Sequence, residues 1–427
     1  MHLDASNANV AIVADLLEEG WPSMDLVAEM LVCAQNQHLP ALDRSRQVPA
    51  TSAFVCHLIR PPMRRRFSQS SQTMGLGYTI DRFINRFYDY PKLLRQVSGT
   101  FELIHLADHS YSHLVHGLPR DRTIVTCHDL DTFRCLWDPA GRNRLFLEMT
   151  RRILAGLQKA AHVCCNSAAT RDELLDRQLC PPDRVSVVHL GLRQALTDPP
   201  DPAAKKLVEG LLADGSGAQM IDLLHVGSTI PRKRIDVLLE VCRRLREIEP
   251  QVRLIRVGGA FTAAQAAQAE RLGIAHNICI LPFLAEREMA AVYRHCALLL
   301  QPSEAEGFGL PVIEALACGT PVLASNLPAL REVGGGAAAY APVGNLSVWV
   351  SQASALLAER RDNPEAWSVR RERCRRQGMK FSWNEAARQT AEIYNSVLSA
   401  AGGLKRLRST YSVKQTFADY RNEQSAQ

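Results

Sequence analysis

Two runs of alternating strand and helix patterns, separated by a proline-rich break, constrain the fold of this chain more than any other feature. In the first run, short apolar segments such as residues 9–14 and 103–106 predict buried strands, with helical patterns between several of them. After the polar residues 197–202, the alternation restarts with a strand pattern at 221–226. Strands that alternate with helices are typical of parallel sheets. We therefore predict an α/β fold with two facing Rossmann-like domains and a ligand site in the cleft between them.

The same break sets the expected domain boundaries. We expect an N-terminal domain over residues 1–197 and a C-terminal domain over residues 198–380. Residues 381–401 predict a helix with a buried stripe of apolar side chains. Residues 402–427 are polar and contain Lys405, Arg406, Arg408 and Lys414, so we expect a mobile basic tail there.

Composition excludes several classes of protein. Of the 427 residues, 46% are hydrophobic and 22% are charged, which is ordinary for a globular protein. Fifty basic and 44 acidic side chains leave a net charge of +6, too little over this length to predict a nucleic-acid partner. No apolar run approaches the ~20 residues that span a bilayer, and from residues 1–5 we expect no secretory signal. The twelve cysteines lack a C-x-x-C pair, so we expect reduced core residues in a cytoplasmic protein.

The segment PSEAEGFGLPVIEALACGTPV, at residues 302–322, carries the most chemical information. Gly307 and Gly309 allow a tight loop with exposed backbone N–H groups after a strand. Pro311 suits the first turn of the helix that follows. Loop amides next to a helix N-terminus favour an anionic ligand such as a diphosphate. We expect Glu314 in the first turn of this helix, with its carboxylate facing the same ligand.

Glu306 and Glu314 are separated by seven residues, and this segment resembles the E-x7-E signature of retaining glycosyltransferases of the family 4 type. The second half of the chain resembles this family well and the first half loosely. The resemblance implies the GT-B fold and a nucleotide-sugar donor. It implies that Glu314 binds the ribose hydroxyls and Glu306 the transferred sugar, because carboxylates accept charge-assisted hydrogen bonds. The amides around Phe308, Gly309 and Leu310 would meet the sugar and the phosphate.

The loop after the predicted strand at 221–226 would supply the cations of this site. Family members usually carry an arginine and a lysine here, and Lys233 matches the lysine. Ser228 follows Gly227 at the place where the arginine often stands, and Arg232 is the nearest substitute. Cations beside the leaving diphosphate would offset the charge that develops as the glycosidic bond breaks. The arrangement resembles that of mannosyltransferases, which favours GDP-mannose over a UDP-sugar; a solvated basic helix start is the alternative interpretation.

His128 follows the predicted strand at 123–126 and matches the family's histidine that binds the donor sugar near the reacting centre. A purely structural histidine is the alternative. Asp129 and Asp131 form a D-x-D pattern, which holds a metal ion in other glycosyltransferases. The resemblance implies that neither a metal ion nor another cofactor is required here, because GT-B enzymes use basic residues for that work.

The remaining candidates lie in the first half, on the acceptor side of the family's fold. Gly20 is the one glycine in a loop where the family often has a pair. Asp108, His109 and Tyr111 follow the predicted strand at 103–106, and they would either bind acceptor hydroxyls or cap local structure. The arginines at 60, 64, 65 and 66 form a basic loop. This loop is either a solvated surface or a contact with an acidic membrane or a lipid diphosphate.

We predict a retaining glycosyltransferase that moves a sugar from a nucleotide sugar to a hydroxyl of a glycan or lipid-linked acceptor, in polysaccharide or glycolipid assembly. By resemblance, the mechanism is front-face attack, in which the leaving phosphate helps to take the proton. The alternatives are a catalytically silent glycan-binding or nucleotide-sugar-binding protein, and an epimerase or phosphorylase of the same fold. A dinucleotide dehydrogenase is disfavoured because residues 257–260 do not begin a G-x-G-x-x-G pattern. The helix after residue 382 is expected to cross back to the first domain.

Overall fold

The computed structural model describes residues 8–37, 54–69, 73–213 and 220–402 of the chain. The described residues form two compact units. Unit 1 contains the residues up to His189 and those from Trp383 onward, and unit 2 runs from Leu190 to Ser382. The predicted basic tail after Gly402 lies outside the described residues.

Each unit contains one sheet of six parallel strands. The strands are β1 (Ala8–Val13), β2 (Phe54–Ile59), β3 (Leu103–Leu106), β4 (Thr123–Cys127), β5 (His162–Cys165), β6 (Val185–Val187), β7 (Ile221–Val226), β8 (Val252–Val257), β9 (Ile278–Ile280), β10 (Leu298–Gln301), β11 (Val322–Ser325) and β12 (Ala339–Ala341). The strand order is β2-β1-β3-β4-β5-β6 in unit 1 and β12-β11-β10-β7-β8-β9 in unit 2. In both units the order reverses direction beside the first strand, which is the position where doubly wound sheets bind their ligands.

Helices connect the strands throughout both units. They are α1 (Pro22–Gln37), α2 (Leu76–Ile84), α3 (Tyr90–Val97), α4 (Arg134–Trp137), α5 (Arg144–Lys159), α6 (Ala168–Asp176), α7 (Gln194–Thr197), α8 (Pro202–Leu212), α9 (Ile235–Ile248), α10 (Ala263–Arg271), α11 (Glu286–His295), α12 (Leu310–Ala317), α13 (Pro328–Gly334), α14 (Leu346–Asp362), α15 (Pro364–Gly378) and α16 (Trp383–Ala400). The predicted class, α/β with two Rossmann-like domains, is confirmed.

Each sheet is buried because its strands are apolar on both faces, as parallel sheets require. In unit 1, Tyr90, Phe101 and Phe133 belong to a core that includes residues from β1, β3, β4 and β5. In unit 2, the fully buried Trp349 belongs to the core and its indole N–H donates to the carbonyl of Pro342 at 3.0 Å. Nine of the twelve cysteines are buried, which places them in the cores as expected.

The first boundary between the units follows His189, before the proline-rich stretch, and not residue 197 as predicted. Residues 190–197 pack onto unit 2, where the amide of Leu192 donates to the carbonyl of Phe381 at 3.3 Å and the thiol of Cys318 donates to the carbonyl of Leu196 at 3.8 Å. Prolines mark where regular structure stops, but these packing contacts decide which unit a connecting segment joins.

Helix α16 packs against the first strands and helix of unit 1. The amide group of Gln35 donates to the carbonyl of Ala387 at 2.8 Å, and the hydroxyl of Tyr394 lies 2.8 Å from Nδ1 of His105. Both contacts are buried, so the end of the described chain is held in place by polar contacts as well as by its apolar stripe. None of the described helices is long and apolar enough to cross a membrane.

We predict that Gly156→Ala destabilises unit 1. A Cβ atom at residue 156 would lie 1.9 Å from the carbonyl oxygen of Ser112, because α5 packs directly on the 3-10 segment His109–Gly117. Overpacking of this kind costs roughly 1–3 kcal/mol. Gly210→Ala in α8 is the matched control, since nothing lies within 4 Å of its Cβ position and alanine favours a helix. Chemical denaturation should show a loss of stability in the first variant only; equal curves would contradict this packing.

Candidate functional site

The candidate site of unit 2 lies at the carboxyl end of its sheet, where loops leave the neighbouring strands β7 and β10. The first loop leads through a 3-10 turn, Pro231–Lys233, into α9. The second loop ends at Gly309, whose φ of 108° is a backbone conformation that favours glycine. A Cβ atom at Gly309 would also lie 2.7 Å from Cδ2 of Leu330. The glycine thus lets α12 start tightly against α13.

A buried carboxylate connects the two loops. Oε1 of Glu306 accepts hydrogen bonds from Nζ of Lys233 at 2.6 Å, from Nε2 of Gln301 at 2.6 Å and from the hydroxyl of Ser303 at 2.7 Å. The guanidinium of Arg232 lies 4.0 Å from Oε2 and donates to the carbonyl of Ala305 at 3.2 Å. The structure therefore brings together Lys233, Arg232 and Glu306.

The two carboxylates of the E-x7-E pair have opposite electrostatic environments. Burial raises the pKa of Glu306, but the charge and hydrogen bond of Lys233, with Arg232 and Ser303, outweigh it and hold that pKa below its usual range. Burial also raises the pKa of Glu314, and Arg193 and Tyr293 only partly offset this, so that pKa lies above its usual range.

Glu314 has its own set of partners. Its Oε1 accepts from Nη2 of Arg193 at 3.2 Å, and its Oε2 accepts from the hydroxyl of Tyr293 at 2.7 Å. The expectation that Glu314 lies in the first turn of its helix is wrong, because α12 begins at Leu310 and Glu314 is one turn further on. The motif located the carboxylate, but it gave no signal for Arg193, which precedes α7.

The other predicted donor residues are distributed around the same loops. Gly227 directly follows β7, and its Cβ position would lie 3.8 Å from Cε of Lys233. Ser228 is half-buried in the same loop. Phe308 is buried and meets the ring of Phe381 edge-on at 5.7 Å, and Leu310 is the first residue of α12. Phe308 thus helps to anchor the loop through its side chain.

Sequence reasoning missed two buried polar side chains beside this loop. Arg256 of β8 is fully buried and makes no ion pair within the described ranges, and its guanidinium donates to the carbonyls of Gly227, at 3.0 Å, and Gly259. His225 is also fully buried, and neither ring nitrogen has a hydrogen-bond partner among the described residues. Burial, with Arg256 and Lys233 nearby, lowers the pKa of His225 to about 3, so the ring is neutral. Arg256 fixes the loop after β7 to the loop after β8.

The candidate site of unit 1 also lies at the carboxyl ends of parallel strands. The amide of His128, after β4, donates to Nδ1 of His109, after β3, at 3.3 Å. Nε2 of His128 donates to the carbonyl of Ala107 at 2.8 Å, and burial lowers the pKa of His128. The structure thus brings together His109 and His128, as their positions after neighbouring strands predict. The contact of the His128 ring with a backbone carbonyl is one that a purely structural histidine would also make.

A buried carboxylate stands beside these histidines. Nδ1 of His109 lies 3.1 Å from Oδ1 of Asp108, which also accepts from the amide of Ser110 at 2.9 Å. Burial lowers the pKa of His109, but Asp108 and Asp129 outweigh it and raise that pKa. Burial raises the pKa of Asp108, but His109, with His128 and Ser110, outweighs it and lowers that pKa. The residue that sequence reasoning missed is Asp15, after β1. Burial and the neighbouring Asp108 raise its pKa well above the usual range.

Three other predicted positions of unit 1 have structural contacts. Tyr111 is buried in the core, and its hydroxyl accepts from the amide of Leu16 at 3.2 Å. Gly20 is exposed and ends a 3-10 turn with a φ of 69°. Arg60 forms ion pairs with Asp25 at 3.0 Å and Glu29 at 3.1 Å, so it stabilises α1 and is not part of an open basic loop. Within the described ranges, no group of three or more His, Cys, Asp or Glu side chains could hold a metal ion.

Two family models match the chain and together cover more than half of it. The first, described as Glycosyltransferase Family 4, matches residues 55–194, and the second, Glycosyl transferases group 1, matches residues 216–340. The second match contains Lys233, Glu306 and Glu314. The chain belongs to the family 4 glycosyltransferases.

Curated relatives of this family member are named D-inositol 3-phosphate glycosyltransferase. The relative from Thermobispora bispora is 32% identical over 250 residues, which cover 56% of this chain and 56% of the relative. The relative from Segniliparus rotundus is 32% identical over 51% of this chain and 46% of the relative, so these two matches span about half of each relative. The relative from Nocardia farcinica is 26% identical over 92% of this chain and 86% of the relative.

Solved structures confirm the GT-B fold. Sucrose-phosphate synthase from Thermosynechococcus elongatus matches with a TM-score of 0.67 and 19% identity, over 92% of this chain and all of that one. The Anabaena protein HepE, in complex with UDP and glucose, matches with a TM-score of 0.65 and 17% identity, over 91% of this chain and all of that one. At these identities the likeness extends to the fold alone.

The opposite pKa directions of the two glutamates predict opposite effects of removing their charge. The lowered pKa of Glu306 means that its ionisation stabilises the fold above its ordinary pKa of 4.5, and this is lost as the pH falls through the lowered value. The raised pKa of Glu314 means that its ionisation destabilises the fold as the pH rises above 4.5. We expect Glu306→Gln to lower the free energy of unfolding at pH 7 by about 1–3 kcal/mol, and Glu314→Gln to preserve or raise it.

Denaturation curves of both variants between pH 3 and pH 7 measure this difference. The stability gap between the variants should be largest at neutral pH and should close as the pH falls below 4.5, where both carboxyl groups gain protons. A gap that stays constant with pH would contradict the assigned ionisation of the pair.

Proposed function

We propose that this protein is a retaining glycosyltransferase whose unit 2 binds a nucleotide-sugar donor. The observation that carries the proposal is the buried Lys233–Glu306 ion pair at the carboxyl end of a parallel sheet, between two loops that contain glycine. A protein that only needed stability would gain little from such a pair, because the desolvation of two charges offsets most of their attraction. Lysine and carboxylate placed together on loops suit a ligand that presents phosphates beside hydroxyls.

Each residue of this site has a proposed task. Lys233 and Arg232 bind the diphosphate and stabilise its growing negative charge as the sugar leaves. Glu306 accepts from hydroxyls of the transferred sugar, and Glu314 accepts from the ribose. A carboxylate has four lone-pair positions, so the contacts of Glu314 with Arg193 and Tyr293 leave it acceptor capacity. Arg256 keeps the loop after β7 in the geometry that presents Lys233. No metal ion or other cofactor has a task in this scheme.

Different observations support the proposed donor and the proposed acceptor. The Arg232–Lys233 sequence favours GDP-mannose, and the HepE complex with UDP and glucose makes a UDP-sugar the next choice. For the acceptor, we propose a hydroxyl of a glycan, a lipid-linked sugar or a phosphorylated cyclitol, the last from the name of the curated relatives. Asp108 and His109 are the proposed acceptor residues of unit 1, and front-face attack with retention is the proposed course.

Donor binding can be measured before any acceptor is known. We expect one of GDP-mannose, UDP-glucose or an ADP-sugar to raise the melting temperature in the presence of EDTA, and to release nucleotide slowly. Stabilisation by one donor names the base and the sugar. If no nucleotide sugar shifts the melting temperature, the catalytically silent glycan-binding alternative becomes the better account.

The variant Glu314→Gln distinguishes an effect on donor affinity from an effect on the stability of the fold. This variant is expected to keep or gain stability, yet it should weaken donor binding by roughly ten-fold or more, because a neutral amide forms a weaker hydrogen bond to a hydroxyl than a carboxylate does. Glu304→Gln is the matched control, since Glu304 lies on the same loop with a side chain that is 41% exposed. Calorimetric titration that finds equal affinities in the two variants would exclude Glu314 from the donor site.

A further inference from the structure

Arg193, in the segment before α7, contacts the carboxylate that we assign to the ribose of the donor. Its Nη2 donates to Oε1 of Glu314 at 3.2 Å, and its Nη1 lies 3.7 Å from Oε1 of Glu286. The side chain of Glu314 is 9% exposed, whereas that of Glu286 is 51% exposed. Arg193 therefore lies between a buried carboxylate and a carboxylate at the surface.

The segment that contains Arg193 is fixed to unit 2 on both sides of this residue. On one side, the amide of Leu192 donates to the carbonyl of Phe381 at 3.3 Å. On the other side, Nη2 of Arg294, on α11, donates to the carbonyl of Leu196 at 3.0 Å. A side chain on a well-supported backbone keeps its geometry more closely than one on a free loop. Arg193 thus has a defined position relative to α11 and α12.

Stability alone does not account for the placement of this arginine. Nε of Arg193 is buried and has no hydrogen-bond partner among the described residues. The desolvation of an unsatisfied donor costs free energy, and the desolvation of a buried ion pair offsets most of its attraction. A buried polar atom without a partner calls for an explanation, and a functional constraint is one of the few available.

The charge of Arg193 acts on a carboxyl group that burial makes harder to ionise. Burial raises the pKa of Glu314, and the charge of Arg193 is the largest influence that lowers it, ahead of the hydrogen bond from Tyr293. The negative charge of Glu286, on α11, raises that pKa. The charge of Glu314 also acts on the thiol of Cys318, at the end of α12. Loss of Arg193 would therefore favour the protonated form of Glu314.

The charge state and the orientation of Glu314 both matter for a ribose, which presents two adjacent hydroxyl groups. An ionised carboxylate accepts from both hydroxyls, and a hydrogen bond to a charged acceptor is stronger than one to a neutral acceptor. A protonated carboxyl group loses one acceptor position to its own O–H. Arg193 and Tyr293 each bind one oxygen of Glu314, so they fix the rotation of the carboxylate and the directions of its remaining lone pairs.

We propose that Arg193 is a positioning residue of the donor site, which keeps Glu314 charged and oriented so that its carboxylate recognises both hydroxyls of the ribose. The inference rests on the proposed function, because it takes Glu314 as the residue that binds the ribose. Arg193 acts through Glu314 and needs no contact with the donor. The consequence is a preference for ribonucleotides over 2′-deoxyribonucleotides, which lack one of the two hydroxyls.

Calorimetric titration with a nucleoside diphosphate and its 2′-deoxy analogue tests this role. GDP, UDP and ADP are tried first, and the one that wild-type protein binds is used throughout. Wild-type protein should prefer the ribonucleotide by roughly ten-fold or more at pH 7, as expected for a hydrogen bond to a charged group. Arg193→Gln should lose most of this preference at pH 7 and regain it as the pH rises toward 9, because Glu314 then ionises without a neighbouring cation.

Three further variants distinguish this role from a purely structural one. If Arg193 acts through Glu314, the double variant of Arg193→Gln with Glu314→Gln should show the same preference as Glu314→Gln alone. Arg193→Lys should restore the positive charge and, with it, most of the wild-type pH profile. Arg287→Gln is the matched control and should behave as wild type. Arg287 follows Glu286 on α11, and its side chain is 72% exposed and pairs with Asp201 at 3.2 Å.

The outcomes separate the role of Arg193 from the donor assignment. If Arg193→Gln weakens both nucleotides equally at every pH, Arg193 only supports the fold and the inference is wrong. A lower preference in the double variant than in Glu314→Gln alone would show that Arg193 does not act through Glu314. If wild-type protein binds none of the nucleotides, the proposed donor site itself is wrong. Should Arg193→Gln fail to fold, Arg193→Lys and the double variant, which leaves two neutral amides, still provide the comparison.

Discussion

The contact between Lys233 and Glu306 determines the form of the whole site in unit 2. It joins the loop after β7 to the loop after β10. The negative charge lies on Glu306, whose side chain is only 7% exposed. Removal of one partner of a buried pair is destabilising, because the other charge is left uncompensated. Next to Lys233, Arg234 has a φ of 49°, a conformation that non-glycine residues rarely adopt. A strained residue held by its surroundings is typical of a loop preorganised for a ligand.

The loop after β7 lacks the arginine that was expected after Gly227, and other cations lie near the pair. Ser228 carries no charge, but Arg232 reaches the same carboxylate, and Arg256 holds the loop from the neighbouring strand through backbone carbonyls. A buried arginine without a carboxylate partner is costly, so its presence at the loop indicates a constraint on loop geometry.

Much of this could be predicted from the sequence, because parallel strands are continuous apolar runs and their carboxyl ends gather the loops. The segments 103–106 and 221–226 are strands with the expected limits. The burial of Arg256 and Asp15 could not be predicted, because a charged residue at or after a strand is expected to be exposed. Only the packing of its neighbours shows otherwise. For Tyr111 and Arg60 the residue types suggested contacts with a ligand, but both side chains have partners within the protein. The hydroxyl of Tyr111 accepts from a backbone amide, and Arg60 pairs with two carboxylates.

The central claim is that the loops around Lys233 and Glu306 bind the donor. Hydrogen–deuterium exchange of the full chain, with and without saturating GDP-mannose or UDP-glucose, tests it most directly. The account predicts that the donor slows exchange in residues 226–234 and 303–314 and leaves α2 and α14 unchanged. Slower exchange elsewhere, with both of these segments unaffected by any donor that binds, would contradict the account.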